Sequence, residues 1–195
     1  MKKVFYLVFA VTALLTGLFT ALAVTVGGEL LSVLATTAGT TCYHFAMRLC
    51  IGFAVEKAMT SRKKVNFDGV WFREHKWEPK LYRLLRVRKW AKRVPTFKPE
   101  QFDARARSPE QLAHQTCLSE LVHELIVVCG YFSLLFCLFF ENPLANLAPF
   151  LITAILAGLY DMQFVILQRY NRPKILRLMR RKEERSKQIE KIGEK

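Results

Sequence analysis

The sequence predicts an all-α, polytopic membrane protein with four transmembrane helices in two hairpins and a basic interfacial segment on the cytoplasmic side. Three observations lead there. Of 195 residues, 52% are hydrophobic and 24% charged, which is too apolar for a disordered chain. The net charge of +14 is unevenly placed, with 16 basic and 6 acidic residues in 57–117 and 11 basic and 4 acidic in 169–195. Between and before those segments the chain is apolar, and 118–168 contains no Lys or Arg. This segregation argues against a uniformly basic nucleic-acid-binding domain. It divides the chain into an N-terminal transmembrane hairpin (1–56), a basic amphipathic cytoplasmic segment (57–117), a second transmembrane hairpin (118–168) and a basic cytoplasmic tail (169–195).

The first run, residues 4–28, has no charged side chain. As a helix it extends roughly 37 Å, enough for a hydrocarbon core of about 30 Å. Lys2-Lys3 followed by an apolar stretch and Ala21-Leu22-Ala23 also resembles a signal peptide, but the run exceeds the usual h-region of about 7–15 residues. The second run, 30–55, is interrupted by His44 and Arg48, and Gly27-Gly28 with Glu29 supplies a turn between the two. The third, 125–140, reaches spanning length when Leu121 and Val122 are added, which brings in His123 and Glu124. The fourth, 143–167, contains one carboxylate, Asp161; Glu141, Asn142 and Pro143 form the break before it.

Charge then sets the topology. Short Lys- and Arg-rich connections stay cytoplasmic, so the central segment, the tail and the N-terminus with Lys2 and Lys3 lie inside a multi-pass cell-membrane protein. Within the central segment, Pro79 suits the first turn of a helix over 80–93 that alternates basic residues with Leu81, Leu84 and Leu85. Such a helix fits the headgroup layer, leucines down and cations toward anionic lipid; a solvated basic helix is the plainer reading. A segment tethered to the membrane at both ends meets lipid phosphates before nucleic acid. Cys42, Cys50, Cys117, Cys129 and Cys137 contain no C-x-x-C pair and read as small buried hydrophobes, without a metal or redox role.

Polar residues inside apolar runs are the candidates for chemistry, since charge within a span is costly. His44 and Arg48 are four apart on one helical face. Thr116, Glu120, His123 and Glu124 recur at i, i+4, i+7 and i+8, again on one face, with His123 as a candidate general base and Glu120 as its carboxylate. Asp161, Gln168 and Arg172 share a third face, and Arg169-Tyr170-Asn171-Arg172-Pro173 follows at the inner headgroups. Pro173 disfavours helical geometry at Arg172 and predicts a bend. Two arginines and the Asn171 amide there suit an anionic headgroup, a phosphate or an acyl oxyanion. Plainer readings are a snorkelling Arg48, a structural His44, a polar cap on the third helix and positive-inside anchoring by Arg169 and Arg172.

Three of these stretches together resemble the glycosyl-4,4'-diaponeurosporenoate acyltransferase family. Gln168-Arg169-Tyr170-Asn171-Arg172-Pro173 is similar to its C-terminal motif, Val87-Arg88-Lys89-Trp90 to its central basic-aromatic motif, and Thr116-x3-Glu120-x2-His123 to its T-x3-E-x2-H stretch. The resemblance covers about residues 66–185 and leaves 1–60, with His44 and Arg48, unsupported. It implies transfer of a fatty acyl group to the C6 hydroxyl of a glucose esterified to a carotenoid acid. On that implication His123 and Glu120 are catalytic, while Gln168, Arg169, Tyr170, Asn171, Arg172, Arg88, Trp90 and Thr116 bind substrate, to which the intramembrane pair adds His44 and Arg48. An acyl thioester serves as co-substrate without further cofactor. No Ser or Cys stands in a nucleophile motif, so direct transfer is expected. The partners are then a membrane glycolipid acceptor, the acyl donor and anionic lipids. The competing class is a non-catalytic membrane lipid-binding scaffold or partner subunit, for which His123→Ala would be silent.

Overall fold

Long charge-free or charge-poor runs can satisfy their backbone in an apolar medium only by internal hydrogen bonding, which favours helix. A computed structural model describes residues 2–60, 66, 67, 69–94, 98–140 and 142–193, and these are helices and connecting turns without a strand. Glu141, in the expected break between the third and fourth runs, lies outside the described residues, as do 61–65, 68 and 95–97 of the basic segment. The helices are α1 (Lys2–Thr25), α2 (Glu29–Thr60), α3 (Glu78–Leu84), α4 (Val87–Trp90), α5 (Pro109–Gly130) and α6 (Pro143–Gly193). A 3-10 stretch, Tyr131–Phe139, continues from α5. Among the described residues, three helical stretches are long and apolar enough to cross a membrane: Lys3–Thr25, Pro109–Phe139 and Asn146–Ile189. The run expected as the remaining span falls in α2, whose 32 residues suffice in length but whose centre carries threonines, His44 and Arg48.

The chain divides into two compact units. One contains residues 1–57 and 124–162, the other 58–123 and 163–195. In the first, Gly27 and Gly28 adopt φ of 78° and 105°, a conformation open to glycine, and link α1 to α2. Phe5 packs on Phe45 with ring centroids 4.6 Å apart. The hydroxyls of Thr36, Thr37, Thr40 and Thr41 each donate to the carbonyl one turn earlier, which hides the polarity of α2 within the helix. Tyr43 joins α2 to α5 by donating to the Cys129 carbonyl at 2.7 Å, and its ring meets Phe136 edge-on.

In the second unit, α5 begins with a reciprocal cap. Ser108 N–H donates to Gln111 Oε1 at 3.0 Å and Gln111 N–H to Ser108 Oγ at 3.2 Å, with Pro109 at the first helical position. The single amphipathic helix expected over 80–93 is instead two short ones. Tyr82 and Val87 are both buried, and five positions apart they would lie about 140° from each other on a continuous helix. Arg86 in the left-handed region, φ 50° and ψ 41°, breaks the helix between them. Leu84 and Leu85, expected to face the lipid, are exposed on the protein. The expected bend at Pro173 does not end α6 either, which stays helical to Gly193. Proline removes one helical hydrogen bond, and Arg169 and Arg172, both in the turn before it, are anchored by their side chains as described below. Of the cysteines, Cys117 and Cys137 are buried as expected, Cys42 and Cys129 half-buried, and Cys50 exposed.

Candidate functional site

Glu120 on α5 is fully buried, and its two oxygens accept from two different arginines of α6. Oε1 accepts from Arg169 Nη1 at 2.5 Å, and Oε2 accepts from Arg172 Nη2. Arg169 also holds Glu78 Oε1 through Nε at 3.1 Å and Nη2 at 2.6 Å. Its other donors reach the carbonyls of Trp71 at 2.9 Å and Arg73 at 3.1 Å. Arg172 Nε donates to Thr116 Oγ1 at 3.1 Å and Nη1 to the Phe72 carbonyl at 2.9 Å, with the guanidinium carbon 5.1 Å from the centroid of the Phe72 ring. Two carboxylates thus balance two guanidiniums, and three successive carbonyls complete the cage.

The local sequence explains how the cage forms. Phe72 and Arg73 N–H both donate to the Gly69 carbonyl, making a tight turn that directs the 71–73 carbonyls toward α6. Glu78 then sits at the start of α3, where the helix N-terminus favours a carboxylate. Its Oε2 accepts from Tyr82 Oη at 2.5 Å, one turn along. Burial pushes the Glu78 carboxyl up, but hydrogen bonds from Arg169 and Tyr82 outweigh it and leave the group below the ordinary carboxylate range. Burial, followed by the bond to Glu78, raises the Tyr82 phenol, so it remains a donor. Beside the cage is a pocket of about 270 Å³ lined by Phe72, Glu78, Arg169, Arg172, Arg177 and others.

The other predicted residues distribute as follows. His123 stacks on Phe164 with centroids 4.4 Å apart and planes at 7°. Gln168 is buried. Tyr170 meets Tyr82 edge-on at 5.4 Å and carries Lys174 Nζ 3.2 Å over its ring. Asn171 Oδ1 accepts from Lys174 at 3.5 Å. Arg88 lines an open groove of about 850 Å³, together with Tyr170. Trp90 donates its indole N–H to the Leu85 carbonyl at 3.0 Å and holds the break between α3 and α4.

His44 and Arg48 do not join these residues. They belong to the first unit, where Arg48 pairs with Asp161 and bonds the His44 carbonyl at 3.1 Å. Asp161 thus serves Arg48, although it shares a helical face with Gln168 and Arg172. Neither ring nitrogen of the buried His44 has a hydrogen-bond partner among the described residues. The expectation that Arg169 binds an anion also changes: its five N–H groups are all engaged by protein acceptors. Sequence reasoning missed Glu78 and Tyr82, although their i, i+4 spacing around Pro79 is visible in the chain. It also missed the carbonyls of 71–73, which carry no side-chain signature.

The family model described as glycosyl-4,4'-diaponeurosporenoate acyltransferase matches residues 68–181, which include the whole cage. Neither the curated proteins nor the solved structures contain a match to the chain.

Proposed function

Since the chain belongs to the glycosyl-4,4'-diaponeurosporenoate acyltransferase family, we propose that it is a membrane acyltransferase esterifying a fatty acyl group onto a sugar hydroxyl of a glycosylated carotenoid acid or similar membrane glycolipid. The observation that carries this reading is the joining of two family-like stretches. Thr116 and Glu120 of the T-x3-E-x2-H stretch are bound directly to Arg169 and Arg172 of the Q-R-Y-N-R-P stretch. A buried cage of this kind holds the turn of α5 that carries His123 in a fixed relation to α6.

In the proposed reaction, the sugar oxygen attacks the carbonyl carbon of an acyl thioester as His123 takes the hydroxyl proton. The new C–O bond forms, the C–S bond breaks, and the imidazolium returns the proton to the departing thiolate. Arg172 spends three of its five N–H groups on Thr116, Phe72 and Glu120, leaving donors for the carbonyl oxygen as it gains charge. Glu120 is a positioning residue for both arginines. Asn171, Tyr170, Arg88, Trp90 and Gln168 are proposed to frame the substrates' polar ends, while the acyl chain and the acceptor tail stay in lipid.

The same reading places the protein in the cell membrane with four spans and both termini cytoplasmic. Pairing of Arg48 with Asp161 and internal satisfaction of the threonines support α2 as the fourth span. The test is lipid mass spectrometry of cells producing the wild type or His123→Ala. The wild type should yield a glycolipid carrying one additional acyl ester, and the variant less than about one hundredth as much, the loss typical of a general base. An unchanged ester level in His123→Ala, with equal membrane insertion, removes His123 from catalysis. Absence of the ester in wild-type cells supports the non-catalytic lipid-binding scaffold.

A further inference from the structure

The cage neutralises its own charges, but the surface next to it does not. An open groove of about 850 Å³ is lined by Arg83, Arg86, Arg88, Lys89, Lys174 and Arg177, and Glu74 supplies its one carboxylate among the described residues. None of the first four has an ion-pair partner among the described residues. Gathering like charges around one concavity is unfavourable unless an anion offsets it. The break in the helix contributes directly, because left-handed Arg86 separates α3 from α4 and lets both helices present cations to the same groove. Tyr170 provides an aromatic wall, already covered on one face by Lys174.

The groove and the pocket beside the cage share Glu74, Pro173 and Arg177 in their linings, so they are adjoining parts of one surface. One part is the larger, about 850 Å³, and has the single carboxylate Glu74; the other, about 270 Å³, is smaller, borders Arg172 and adds Glu78 to its lining. A ligand matching this order carries several phosphate charges at one end and a slender arm at the other. We propose that the groove binds the nucleoside-diphosphate portion of a coenzyme A thioester, whose pantetheine arm runs past Pro173 and Arg177 into the pocket. The volume lies in the range of small-ligand sites, about 300–1,000 Å³. A diphosphate and a phosphomonoester together bring nearly four negative charges at neutral pH, a demand that six cations meet. A lone lipid phosphate uses only part of the groove, and an acidic carrier protein needs a broader face than a concavity of this size.

The proposal rests on the acyltransferase reading and names its donor. It is tested on the full chain in phosphatidylcholine nanodiscs by calorimetric titration with coenzyme A and with its 3'-dephospho form. The expected result is saturable binding that falls at least tenfold in Arg83→Glu/Lys89→Glu and in Lys174→Gln/Arg177→Gln, weakens with salt and weakens when the 3'-phosphate is absent. Circular dichroism of each variant separates loss of binding from loss of fold, and the two pairs lie on different helices so that one failure to fold leaves the other informative. No binding of coenzyme A, or binding indifferent to both pairs, overturns the proposal. Binding only to phosphatidylglycerol nanodiscs, or only to a phosphopantetheinylated carrier protein, likewise overturns it in favour of those ligands. Binding of coenzyme A without any acylated glycolipid in cells supports the groove and places the failure in the proposed acceptor.

Discussion

Glu120 shows why residue type and burial together determine a role. It is 0% exposed and has two guanidinium partners, so its removal leaves buried Arg172 without a carboxylate and Arg169 with Glu78 alone. Losing one member of such a cluster costs about 3–5 kcal/mol. Glu120→Ala should therefore lower the thermal midpoint in detergent by many degrees as well as abolish transfer. Arg172→Lys should behave more like a deletion than a conservative change. A lysine cannot meet Thr116, the Phe72 carbonyl and Glu120 from one planar group. Glu78 adds a pH dependence of known sign. Its carboxyl is held below the ordinary value, so its stabilisation is complete above that value, near 4.5, and disappears as pH falls through the depressed one. Thermal unfolding from pH 7 to 3 should show this acid loss in the wild type. In Glu78→Gln the midpoint should be lower at pH 7 and the acid loss smaller.

The short helices α3 and α4 depend on one backbone reversal. Arg86 at φ 50° is the positive-φ residue other than glycine among the described residues. Such a conformation is costly for a side chain with a Cβ and free of that penalty for glycine. Arg86→Gly should raise the thermal midpoint slightly, since relief of roughly 1–2 kcal/mol of left-handed strain exceeds the roughly 0.5–1 kcal/mol entropic cost of glycine, whereas β-branched Arg86→Val should lower it. A midpoint unchanged in both would show that the reversal is absent in solution. The same break divides the single helix expected over 80–93, with Tyr82 and Val87 buried on either side of it while Leu84 and Leu85 stay exposed. At Pro173 the local preference against helix is overridden: α6 continues through it, and Arg169 and Arg172, in the turn before the proline, are held by side-chain anchors.

For the whole molecule, the consequence to test is topology. The proposed four spans with both termini inside would place the Gly27-Gly28 turn outside and the tail of α6 inside. In a cysteine-free background, Gly28→Cys should react with a membrane-impermeant maleimide on intact cells, and Lys187→Cys only after permeabilisation. Equal protection of both sites before permeabilisation excludes α2 as a span.

Helical content, three helices long and apolar enough to cross a membrane and the family resemblance were readable from the chain alone. They depend on composition, on periodicity along one helix and on local motif spacing, and the family match over 68–181 agrees with that reading. Pairing across the fold was not readable. Nothing local says that Glu120 binds two arginines of α6, that Glu78 and the 71–73 carbonyls close the cage, or that Asp161 goes to Arg48. These partners lie many residues apart, and backbone acceptors are alike in every residue. A buried charge takes whichever partner packing brings within reach, and that choice exists only once the chain has folded.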